Sequence, residues 1–251
     1  MISRSSLMVT LIGVLGFSIL RAQPAAPASQ ESPAQTLTPE KRGDIYMARR
    51  MYREALEAYR KAPQDSAIIW NKMGIAYQQL TELDTARKHY ERSLKLNPKY
   101  PEAINNLGTI HYARKNYRRA VSQYQRALKI TPDSASILSN LGMAYFARKR
   151  YPQAAETFQQ ALAIDPEVFE HRSTYGVLLQ ERSVEERAKF HYYLSKLYAQ
   201  GGRTELALQY VRKALEEGFK DRKKFLEEPE FAALRELPEF KELMTLEPRV
   251  L

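Results

Sequence analysis

Three residue series in this chain keep one beat of 34. Gly74, Gly108 and Gly142 keep it, as do Ala86, Ala120 and Ala154, and Pro98, Pro132 and Pro166. A period of this length, held in phase by three residue types, means that one supersecondary unit is repeated and that each unit buries its apolar face against its neighbours. The segments begin near Ala67, Pro101 and Ala135, and each reads as two amphipathic helices with apolar residues three and four apart. Ala, Leu, Lys, Arg, Gln and Glu dominate these segments and lose little rotamer freedom in a helix. With 44% hydrophobic residues, the chain can bury a substantial core. The expected fold class is all-α, an α-solenoid of stacked antiparallel helix pairs.

The recurring residue types have physical reasons. In each unit a glycine on the first helix lies twelve residues before an alanine on the second, so two helices without bulky side chains there can approach closely. Tyr90, Tyr124 and Phe158 follow those alanines by four residues, one turn on along the same face, where a ring is expected to fill space between neighbouring units. Pro98, Pro132 and Pro166 lack a backbone N–H and disfavour helix in the residue before them, so each second helix should stop there.

Trp70, Met73, Gly74, Tyr77, Ala86, Tyr90 and Pro98 together resemble the W-x-x-L-G-x-x-Y, A-x-x-x-F, P pattern of the tetratricopeptide-repeat (TPR) family. The next unit offers Ile104, Leu107, Gly108, Ala120, Tyr124, Ala127 and Pro132, with His111 in place of the usual Tyr, and the third offers Leu138, Leu141, Gly142, Tyr145, Ala154, Phe158, Ala161 and Pro166. The resemblance implies a TPR superhelix whose repeats run over about 36–66, 67–100, 101–134 and 135–168, followed by an irregular stretch at 169–187. A further repeat is expected at about 188–218, carried by Ser195, Tyr198, Ala207, Val211 and Ala214. Residues 219–251, with Pro-Glu-Phe at 229–231 and again at 238–240, are expected to form a helical cap over the end of the stack.

Ahead of the repeats, Arg4 precedes an uncharged apolar run from Leu7 to Leu20, and small residues follow around Ala22. The run is shorter than the roughly 20 residues that a spanning helix needs, so residues 1–22 read as a cleaved secretory signal. Export to the periplasm or the exterior is the expectation, with an uncleaved membrane anchor as the alternative. Residues 23–35, rich in Pro, Ala, Ser and Gln, read as a linker.

No phosphate loop, serine elbow, metal-binding helix or calcium loop occurs, the four histidines are scattered, and there is no cysteine. Neither cofactor nor metal nor catalysis is expected, which leaves binding. In TPR proteins the face of the first helices opposite the glycines lines the concave groove. Asn71, Asn105, Asn106, Tyr112, Asn140, Met143 and Phe146 are expected there, the amides to bond a partner's main chain and the apolar residues to anchor it. Arg49 and Arg50, Arg114 and Lys115, and Arg148, Lys149 and Arg150 recur in the turn between paired helices and should form a basic edge. The formal charge of +10 agrees with an acidic partner. Taken together, a scaffold or adaptor binding an extended or helical protein segment is expected. The alternative is a binder of an anionic polymer or membrane surface, with nucleic acid disfavoured by export.

Overall fold

The computed structural model describes residues 37–170 and 183–245, so the expected signal at 1–22, the linker at 23–35, most of the irregular stretch and the last six residues lie outside the described part. Among the described residues there is no strand. Helices α1 (Pro39–Ala48) and α2 (Tyr52–Arg60), α3 (Ala67–Gln79) and α4 (Leu83–Leu96), α5 (Pro101–Ala113) and α6 (Tyr117–Leu128), and α7 (Ala135–Ala147) and α8 (Tyr151–Ile164) pair off in chain order. Each second helix also packs on the first helix of the following pair, so the stack is continuous from α1 to α8. A fifth pair, α9 (Val184–Gln200) with α10 (Thr204–Glu216), is followed by α11 (Lys223–Glu227), a 3₁₀ turn at Pro229–Phe231, α12 (Ala232–Arg235) and α13 (Pro238–Thr245). Helix α9 starts ahead of Ala188, with the Ser183 hydroxyl accepting from the Glu186 N–H as its cap, so the end of the stretch expected to be irregular is helical.

The glycines mark where a ring lies on the backbone. A Cβ on Gly74 would stand 2.5 Å from the Tyr90 ring, one on Gly108 2.7 Å from Tyr124, and one on Gly142 2.3 Å from Phe158. The rings therefore cover the glycine of their own helix pair and also reach the next one, as the sequence suggested: Tyr90 clusters with Leu107 and Ile110 of α5, and Phe158 meets Phe190 of α9 edge-on at 5.7 Å. Gly43 and Tyr59 repeat the contact at 2.3 Å in the first pair. In the fifth pair Ser195 stands at the glycine position and Val211 at the ring position, both fully buried. A smaller partner leaves room for a larger residue on the facing helix.

The markers Pro98 and Pro166 act as expected, whereas α6 stops earlier, at Leu128, four residues before Pro132. Helices α4 and α8 stop at Leu96 and Ile164, and the residues before Pro98 and Pro166, Asn97 and Asp165, are extended with φ −136° and −134°. Between paired helices the same turn recurs five times, with a left-handed residue at Arg50, Thr81, Lys115, Lys149 and Gly202. In the α5–α6 turn Lys115 N–H bonds to Tyr112 O at 2.8 Å and Asn116 N–H to His111 O at 2.8 Å, the paired bonds of a Schellman ending. Four of the five left-handed positions carry a side chain where glycine would be unstrained.

At the C-terminal end, Phe225, Phe231, Leu234, Phe240 and Leu243 are all buried in the same apolar cluster as α9 and α10. The two Pro-Glu-Phe copies thus each place a phenylalanine in the core.

Candidate functional site

The polar surface that links successive units is an amide ladder on the first helices. Asn106 Nδ2 donates to Asn71 Oδ1 at 3.0 Å, and Asn140 Nδ2 donates to Asn105 Oδ1 at 3.0 Å, joining α3 to α5 and α5 to α7. All four amides are engaged in the ladder, with Asn105 Nδ2 also donating to Asn106 Oδ1 at 3.4 Å, but Asn71 and Asn140 are 4% and 6% exposed and closed to a partner, whereas Asn105 and Asn106 are half-buried and reach the surface. Above them lies a groove of about 720 Å³ between α3, α5 and the loop that leads into α7. Asn105 and Asn106 form part of its floor, Ile75 and Pro101 add apolar wall, and the exposed Glu102 and Asp133 supply charge, with no cation among the lining residues.

The other residues expected in the groove lie elsewhere. Tyr112, Met143 and Phe146 are 5%, 0% and 3% exposed, so they cannot anchor a partner from the surface. Their place is corrected to the core. Tyr112 meets the Tyr117 ring edge-on at 5.2 Å, and Phe146 meets Tyr151, Phe190 and Tyr193 at 5.3, 5.7 and 5.9 Å. In these two pairs the second helix opens with an aromatic, Tyr117 or Tyr151, that closes over that position.

The basic turns do sit at corresponding places in the stack, at the opposite end of the first helices from the groove. Arg148, Lys149 and Arg150 occupy the α7–α8 turn, Arg114 and Lys115 the α5–α6 turn, and Arg49 and Arg50 the α1–α2 turn. The edge is interrupted at the α3–α4 turn, where Thr81 and Glu82 stand instead, and Asp84 forms an ion pair with Arg114. That guanidinium, with Arg87 and Lys88 adding to it, holds the exposed Asp84 carboxyl below its ordinary value.

A polar cluster that no sequence pattern signals lies at α9 and the C-terminal end of α10. His191 Nδ1 lies 2.7 Å from the Glu217 carboxylate, and Arg187 Nε donates to the other oxygen at 3.1 Å. Burial pushes the Glu217 carboxyl up, but the bonds from His191 and Arg187 prevail and hold it below the usual carboxylate range. Among the described residues no group of His, Asp and Glu is placed to hold a metal ion, and no helix is long and apolar enough to cross a membrane.

Similarity to known proteins follows the repeats. Tetratricopeptide-repeat family profiles match residues 40–99, 65–133 and 100–167, and another matches 177–221, together more than half of the chain. Photosystem I assembly protein Ycf3 of Synechococcus elongatus is 37% identical over 67 residues, 24% of this chain and 39% of that protein. The tetratricopeptide repeat domain-containing protein PYG7 of Arabidopsis thaliana is 29% identical over 75 residues, 30% of this chain and 25% of that protein. The chain thus spans well under half the length of these curated relatives. Among solved structures, the Cut9–Hcn1 hetero-tetramer of the APC/C aligns at 17% identity with a TM-score of 0.52, over 82% of this chain and 35% of that one, a likeness of fold alone. The beat of 34, the ring-on-glycine contact repeated in four helix pairs and the profile matches lead to one assignment: the chain belongs to the tetratricopeptide-repeat family.

Proposed function

We propose that this protein is a non-catalytic scaffold that holds an extended segment of a partner protein in the groove over α3, α5 and the loop before α7. The observation that carries this reading is the groove itself, about 720 Å³, with Asn105 and Asn106 in its floor. Beyond the ladder bonds, each of these half-buried amides keeps a second N–H and a second oxygen lone pair for a partner's main chain whatever its side chains, which suits an extended backbone. Glu102 and Asp133 favour a neutral or basic stretch there, while acidic stretches of the same partner are drawn to the basic turns at the far end of the first helices. The matched relatives named as photosystem I assembly proteins support a scaffold role. Action outside the cytoplasm is part of the proposal and rests on Arg4 and the apolar run from Leu7 to Leu20.

The test is quantitative binding of a partner captured by the full chain and identified by mass spectrometry. Glu102→Arg combined with Asn106→Ala is expected to weaken that partner about tenfold or more while the helical spectrum is unchanged. Parental affinity in this variant would rule the groove out as the binding surface.

A further inference from the structure

At the turn end of the stack, well away from the groove, α4, the end of α5 and the start of α6 enclose a cleft of about 660 Å³. Arg87 enters it from α4, His111 and Arg114 from the α5 end, and Asn116, Arg119 and Gln123 from α6. Only one lining residue, Glu91, is acidic. The donors are far from used up. Arg87 gives Nη1 to Glu91 at 2.7 Å, but its Nε is buried without a hydrogen-bond partner. Arg114 is tied to Asp84 through Nη2, and Arg119 is in none of the ion pairs among the described residues. Gln123 Oε1 is likewise buried and unpartnered.

We propose that this cleft is a binding site for a phosphoryl group, either free inorganic phosphate or one carried on a larger molecule. Two internal carboxylates each occupy one edge of one guanidinium, and what remains is the free part of the Arg87 and Arg114 guanidiniums, Arg119, and the side-chain amides of Asn116 and Gln123, brought together from α4, the α5 end and α6. A carboxylate offers two oxygens in a plane. A phosphoryl group offers three outward oxygens and up to two charges, which matches donors converging from several directions. The field at the site has the same sign. Burial and then the cations Arg119, Arg87 and Arg114 hold the His111 imidazole below its ordinary value, with Glu91 opposing them.

The experiment titrates the full chain with inorganic phosphate at constant ionic strength, following heat and the NMR signals of the His111 ring. Saturable binding with a rise in the His111 pKa is expected, because a bound dianion favours the imidazolium. Arg119→Ala, at an exposed residue, should weaken binding about tenfold. Arg87→Lys keeps the charge but loses the planar guanidinium fork and should weaken it as well, whereas Lys129→Ala, at the other end of α6, should not. A phosphoserine peptide that binds the same residues more tightly than phosphate would identify the carried form, and one that binds no more tightly would identify the free ion. Non-saturable binding, an equal response to chloride, or parental affinity in both arginine variants would overturn the assignment.

Discussion

Gly142 and Phe158 offer a sharp test of how these helix pairs are held together. A Cβ on Gly142 would lie 2.3 and 2.4 Å from two Phe158 ring carbons and 3.1 Å from a third, and that ring is fully buried. Accommodating it requires the ring to move about 1 Å in a close-packed interior, which puts Gly142→Ala at the upper end of overpacking costs, about 3 kcal/mol. Alanine in a helix interior recovers about 1 kcal/mol over glycine, so a net loss of about 2 kcal/mol is expected. Phe158→Val alone should cost about 2–3 kcal/mol, less than a full truncation to alanine. In the double variant the clash is gone and the helix gain remains, so the pair should lose only about 1–2 kcal/mol, a coupling of about 3 kcal/mol. The fifth helix pair already carries this solution, with Ser195 facing the side of Val211. Urea denaturation followed by circular dichroism on all four proteins gives the cycle. Additivity of the two single changes within about 0.5 kcal/mol would show that ring and glycine do not meet.

Lys149→Gly should stabilise the protein by about 0.5–1 kcal/mol, because relief of left-handed strain of about 1–2 kcal/mol outweighs the added freedom of the unfolded chain; a lower midpoint in urea would refute it. Burial, then nearby Arg60, holds His89 below the ordinary imidazole value against the Thr85 carbonyl, and His111 is held below it too, so both favour the neutral form in the fold. The unfolded chain therefore binds more protons just below about pH 6.5, and stability should fall as pH drops from neutrality through that range. His89→Gln with His111→Gln should flatten that limb, and an unchanged slope in thermal melts would contradict it. For Glu217, whose carboxyl is held low, the stabilisation is present above the usual carboxylate range and is lost on further acidification, so Glu217→Gln should reduce the acid sensitivity that remains below pH 5.

The beat of 34 made the helix pairs, their turns and their ends legible, because glycine, alanine and proline act through local sterics that spacing alone reveals. The direction of the rings was half legible. Tyr90 one turn beyond Ala86 does pack against Leu107 and Ile110 of the next unit, but its 2.5 Å approach to Gly74 of its own pair is not signalled by the spacing. Tyr112, Met143 and Phe146 were misplaced for a related reason, since a helix face is covered or open depending on what the next helix brings. Tyr193 stacks on Tyr151 at 5.4 Å from 42 residues further along, a contact that no local pattern signals. The amide ladder was half legible: the spacing brought Asn71, Asn105, Asn106 and Asn140 to one face, but not that all four bond one another there and that Asn71 and Asn140 are buried. The arginine cleft draws on two units and was missed, although the run Tyr117–Leu128, with Arg118, Arg119 and Arg126 and no acid, was a visible signal.

The groove is tested most directly by placing a photo-crosslinking residue at position 102, on its rim, and separately at position 156, an exposed site on α8 outside it. In cells producing the full-length chain, irradiation should give a discrete protein adduct from position 102 and none from position 156. No adduct from 102, or the same adduct from both positions, would mean that the groove does not hold the partner.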